Sequence, residues 1–166
     1  MNTNDVNMQK VCAQLENVRL PRWRELPDLE LYMDQLISLM GRYLKDYPGS
    51  GDKGLTAAMV NNYVKQKVMP APAKKRYNRD HLAYLIMIYF LKSSLTMAQI
   101  QTLFEEELSK QSLEEYYGAF CSAFRGTASE CAKQYKKKNA EVLSVSSGAA
   151  IRAYVEQSVS AAFLAE

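Results

Sequence analysis

Glycine and proline are scarce, at 7 and 5 among 166 residues, which excludes a collagen-like or low-complexity chain and leaves most of the length free to order. Histidine occurs once, at His81, so no histidine cluster exists to hold a metal or share a proton. The three cysteines, Cys12, Cys121 and Cys131, are odd in number and follow no metal-ligand spacing, and they read as reduced, buried small hydrophobes. Neither a metal nor a cofactor is therefore expected. Long apolar runs are missing too. The longest, Leu82 to Leu91, spans ten residues, against the ~20 a bilayer-crossing helix needs. Met1 to Lys10 is polar and holds no signal-peptide core, so a cytoplasmic location is expected and no membrane partner. Strand-like alternation is almost absent, which points to a mainly α fold.

Catalytic constellations are missing as well. No nucleophile has a base beside it in a motif, so no catalytic residue is assigned and no enzyme is expected. Glu105-Glu106-Glu107 and Glu114-Glu115 fall near helix ends, where carboxylates are solvated or favoured by the helix dipole. Gly49-Ser50-Gly51-Asp52-Lys53-Gly54 contains glycine and lysine but lacks phosphate-loop spacing. His81 falls at the third position of a predicted helix, where it suits capping or packing.

What is present is helical periodicity. An apolar share of 48% is enough for a core without disulfide or metal staples at this length. A first helix is expected over about Val6 to Val18, followed by an extended stretch at Leu20 to Pro27, where prolines disfavour helix in the residues before them. Asp28 reads as the cap of a helix whose Leu29, Met33, Leu36, Ile37, Met40 and Leu44 form one buried face and which ends near Tyr47. Pro48 to Gly54 reads as a loop. Thr56 caps a short helix to about Lys67, with Leu55 and Val60 as its hydrophobic staple. Pro70 and Pro72 end that helix, and Asn78 caps the apolar helix Arg79 to Lys92. Thr96 with Gln99 and Ser112 with Glu115 are capping boxes for two more. The Ser112 helix carries Leu113, Tyr117, Phe120, Phe124, Cys131 and Tyr135 on one stripe, and a final helix from about Ser147 buries Ile151, Val155, Val159 and Phe163. The Leu82 to Leu91 helix is apolar on nearly all sides, so it must be covered from two directions. Tyr84, Tyr89, Phe90, Tyr116, Tyr117, Phe120 and Phe124 suit core packing better than an aromatic effector pocket.

The net charge of +3 is small, but its distribution is uneven. Between Lys53 and Arg79 there is no acidic residue, while Lys53, Lys65, Lys67, Lys74, Lys75, Arg76 and Arg79 are cationic. On a helical wheel Met59, Val60, Tyr63 and Val64 share one side of the short helix, which leaves Ala58, Asn61, Asn62 and Lys65 opposite. Such a face suits a major-groove helix: small Ala57 and Ala58 let the backbone approach, asparagine bonds adenine bidentately, and lysine neutralises phosphate. The bland alternative is a solvated face beside a lysine-rich loop.

The stretch Val60-Asn61-Asn62-Tyr63 through Val68-Met69-Pro70-Ala71-Pro72, then Lys75-Arg76-Tyr77-Asn78 and the stripe Leu82, Leu85, Ile88, Leu91-Lys92, resembles the MerR family of winged helix-turn-helix regulators. The likeness covers about Leu55 to Phe104, with Ile100 and Leu103 on the second wing helix. It implies that Asn61 stands where the family places a DNA-contacting arginine, Tyr63 at a packed tyrosine, and Lys75 at a wing arginine. The glycine expected before the helix exit is Lys67 here, the wing is short and lacks glycine, and the preceding helix is long. Over about Leu20 to Glu106, with Leu20-Pro21-Arg22-Trp23, Leu31-Tyr32-Met33-Asp34-Gln35, Asn61-Asn62-Tyr63-Val64 and Tyr77-Asn78-Arg79-Asp80-His81, the chain more closely resembles a bacterial domain-of-unknown-function family with a MerR-like core.

The resulting expectation is a mainly α, MerR-like winged helix-turn-helix with a short basic wing and a C-terminal helical hairpin or arm. Residues 1–19 form an N-terminal helix or tail, 20–110 the DNA-binding domain, and 111–166 a region for dimerisation or an effector. The expected partner is double-stranded DNA, met by Ala58, Asn61, Asn62 and Lys65 on the helix and by Lys74, Lys75, Arg76, Tyr77 and Arg79 on the basic turn. A homodimer is expected because a half-site reader gains affinity from a two-fold partner, with a small-molecule or protein effector on the C-terminal helices. The competing expectation is a helical protein-interaction module that binds no DNA.

Overall fold

The computed structural model describes residues 3–17, 19–45, 47 and 54–137, together with helical positions at 149, 153, 156 and 157. The described chain is mainly helical: α1 Thr3–Asn17, a 3-10 turn Trp23–Glu25, α2 Met33–Leu44, α3 Ala57–Lys65, α4 Arg79–Leu91, α5 Met97–Leu108 and α6 Leu113–Lys137. Extended pairing among the described residues is limited to two isolated antiparallel bridges, Leu31 with Tyr77 and Ala73 with Arg76.

Helix α4 is the centre of the molecule. His81, Leu82, Ala83, Leu85, Ile86, Met87 and Ile88 are all buried, as expected for a helix apolar all round, and α2 and α6 both pack on it. Each buried leucine or isoleucine there contributes roughly 1.5–3 kcal/mol by leaving water. Helix α5 adds Ile100 and Phe104 to the same core, and α6 adds Tyr117. Aromatic residues form two separate groups of ring contacts here: Phe90 lies 5.1 Å from Tyr47 and 4.5 Å from Phe124, while Phe104 lies 5.2 Å from Tyr84 and 6.2 Å from Tyr116. These rings pack the core, as their spacing suggests.

The helix starts follow the caps. Thr56 Oγ1 accepts the Met59 N–H, and Leu55 and Val60 are both buried as a staple requires. Asn78 Oδ1 accepts the His81 N–H, and the Thr96–Gln99 and Ser112–Glu115 boxes close in both directions. The Ser112 contacts hold the Glu115 carboxyl below the usual range, the backbone N–H contributing most.

Three boundaries differ from the periodicity. Asp28 caps nothing: α2 begins at Met33, and Leu29 is 57% exposed. The reason is that the Leu31 N–H donates to the Tyr77 carbonyl at 2.7 Å and the Leu31 carbonyl accepts the Tyr77 N–H at 2.9 Å, which holds this stretch extended. Gln35 Oε1 instead takes the Tyr32 N–H to start the helix. Helix α3 ends at Lys65, before Lys67, because Lys67 turns left-handed at φ 58°. Val68 N–H then reaches the Tyr63 carbonyl and Lys67 N–H the Val64 carbonyl, the paired bonds of a Schellman stop. The N-terminal helix starts at Thr3 instead of Val6 and packs along α6, with Lys136 paired to Glu16 at 2.6 Å. The loop at 48–53 and the apolar stripe Ile151, Val155, Val159 and Phe163 lie outside the described residues.

Candidate nucleic-acid interface

Helix α3 divides as its wheel predicts. Val60 and Tyr63 are buried, Met59 and Val64 pack against the core, and Ala58, Asn61, Asn62 and Lys65 are exposed along the outer side. No acidic residue stands in its first turn, so the positive end of its dipole is uncompensated.

The basic turn is tighter than its sequence suggests. Arg76 N–H donates to the Ala73 carbonyl at 2.8 Å, and the two residues between, Lys74 and Lys75, have φ of 48° and 61°. Two successive left-handed residues closed by a bridge are the geometry of a type I′ hairpin turn, which favours Asn-Gly because a Cβ is resisted there. Here both positions are lysine, and both side chains are exposed. The hairpin tip is therefore a pair of ammonium groups on a constrained backbone.

The remaining members of the basic set are tied to the body of the protein. Arg76 lays its guanidinium 3.7 Å from the centre of the Tyr32 ring, a cation–π contact that fixes its plane. Arg79 Nε donates to the Leu26 carbonyl at 3.1 Å, its Nη2 lies 3.7 Å from Asp28, and its guanidinium sits 5.8 Å from the Trp23 ring. That guanidinium is a strut between α4 and the Trp23 turn. Tyr77 is 4% exposed and belongs to the core, where burial raises its hydroxyl pKa; its ring meets His81 at 5.3 Å. The structure thus groups Ala58, Asn61, Asn62 and Lys65 on one helix face and Lys74 and Lys75 at one tip, and draws Tyr77 inward.

His81 completes the hinge between turn and helix. Its Nδ1 lies 2.6 Å from Asn78 Oδ1 and 3.1 Å from the Asn78 backbone nitrogen. Burial pushes the imidazole pKa below its ordinary value, opposed by the Asp80 carboxylate and the Ala71 and Pro70 carbonyls. Sequence reasoning missed Tyr32 beneath Arg76, and Trp23, Leu26 and Asp28 around Arg79. No local spacing reveals partners so far along the chain. Among the described residues no group of three or more His, Cys, Asp or Glu is placed to hold a metal ion, and no helix is long and apolar enough to cross a membrane.

This geometry defines a mainly helical domain that carries an exposed amide-and-lysine helix face and a two-lysine hairpin. Residues 21–120, well over half of the chain, match a domain of unknown function, DUF1836, and the chain belongs to that family. No curated protein and no solved structure matches it.

Proposed function

We propose that this protein is a DNA-binding transcriptional regulator of the MerR-like winged helix-turn-helix type. Helix α3 enters the major groove, and the Lys74-Lys75 hairpin grips the phosphate backbone as a short wing. The observation that carries the reading is the hairpin tip: two lysines hold a backbone conformation that suits asparagine and glycine. Strain kept at an exposed, doubly charged position points to a use for the charge. The exposed face of α3 supplies what backbone contacts lack, since Asn61 and Asn62 can read base edges and Lys65 neutralises phosphate. Arg76, fixed over Tyr32, adds a further phosphate contact, whereas Arg79 and Tyr77 act from inside by holding the turn in place. The regulator works as a homodimer, reading two half-sites through its two-fold axis.

Selection of bound duplexes from a randomised pool, followed by anisotropy titration of the winner across a salt series, tests this. A defined sequence preference is expected, with affinity falling steeply as salt rises. Lys74→Ala with Lys75→Ala should weaken selected and random duplexes alike and reduce the salt slope by about 2. Asn61→Ala should erode the preference instead. A pool that yields no enriched sequence, or lysine variants that bind as the parent does, refutes the regulator reading and leaves a protein-interaction module.

A further inference from the structure

A second surface feature lies between the Leu20–Glu25 segment and α6. It is a groove of about 530 Å³, within the roughly 300–1,000 Å³ of small-molecule sites. Arg19, Arg22, Arg24 and Arg125 line it against Glu25 and Glu114, which leaves two positive charges in excess. Arg19 is paired to Glu25, whose other oxygen accepts the Arg22 N–H at 2.7 Å. Among the described residues Arg22, Arg24 and Arg125 make no ion pair.

The wall also contains Trp23, the single tryptophan of the chain. Its ring is backed by Tyr117 at 6.1 Å and by the Arg79 guanidinium. The two sides of the groove are pinned together, since the Tyr117 hydroxyl donates to the Pro21 carbonyl at 2.7 Å and the Cys121 sulfur lies 3.9 Å from the same oxygen. The groove is thus preformed, and little ordering is needed to fill it.

We propose that this groove binds a small dianion carried on a flat ring, the chemistry shared by a nucleoside monophosphate and an aromatic dicarboxylate. Arginine forks take phosphate or carboxylate oxygens in pairs, and the indole offers a surface for the ring. The site goes beyond the DNA reading and stands without it.

The test is titration of the full-length protein, without DNA, followed by Trp23 emission. AMP, phthalate, adenosine and inorganic phosphate are the probes. A saturable change with AMP or phthalate is expected, AMP alone identifying a phosphate ligand and phthalate alone a carboxylate. Arg22→Gln and Arg125→Gln should each weaken it by about tenfold or more, with the thermal midpoint of the unliganded protein unchanged. No saturable change with either ring dianion, binding by both variants equal to the parent's, or adenosine or inorganic phosphate binding as tightly as the ring dianion that binds overturns the proposal.

Discussion

Lys67 closes α3 with φ at 58°, the position at which helices most often place glycine. Its Cβ meets the adjacent carbonyl there, a strain of roughly 1–2 kcal/mol. Lys67→Gly should therefore stabilise the fold by up to about 1 kcal/mol, the loss of unfolded-state restriction offsetting part of the relief; urea denaturation checks it, and an unchanged or lower midpoint would show that the turn is not strained. His81 sets a pH dependence at the same scale. Burial lowers its folded pKa below the ordinary value of about 6.5, so the unfolded chain binds the proton more readily. Its contribution is complete above that value and is lost as pH falls from about 6.5 towards the folded value. Thermal midpoints between pH 7.5 and 5 should fall for the parent and fall less for His81→Gln, with parallel curves counting against a neutral, buried imidazole.

At the scale of elements, the Ala73–Arg76 hairpin separates stability from binding. Lys74→Asn with Lys75→Gly gives the turn the residues its geometry favours, so the variant should melt higher than the parent while binding DNA more weakly. A hairpin that is merely a loop would show the first effect without the second. Helices α3, α4, α5 and α6 were legible because their caps are local: Thr56, Asn78, Thr96 and Ser112 each bond within three residues of themselves. The start of α2 was not, since Leu31 is held extended by Tyr77 from the far side of the domain. The left-handed lysines were equally hidden, because residue preference at those positions points to glycine or asparagine. The exposed face of α3 followed from periodicity, whereas the inward turn of Tyr77 depended on Leu31 and that of Arg79 on Trp23 and Leu26.

For the whole molecule, stability concentrates where α2 and α6 meet α4. Ile86 is fully buried, and Ile86→Ala should cost about 2–5 kcal/mol, read as a lower denaturation midpoint by far-UV circular dichroism; a cost below 1 kcal/mol would mean that α4 is not the centre of one cooperative core. The same central helix starts at the basic hairpin, so its placement fixes where the hairpin emerges. Tyr117 has a different consequence at this scale. Its bond to the Pro21 carbonyl brings together residues near the two boundaries of the 21–120 family match. Helix α6 nevertheless runs on past the second of those boundaries to Lys137 and sends Phe124 and Ala128 back into the core, so a fragment trimmed at residue 120 would cut through a helix on which its own interior still leans.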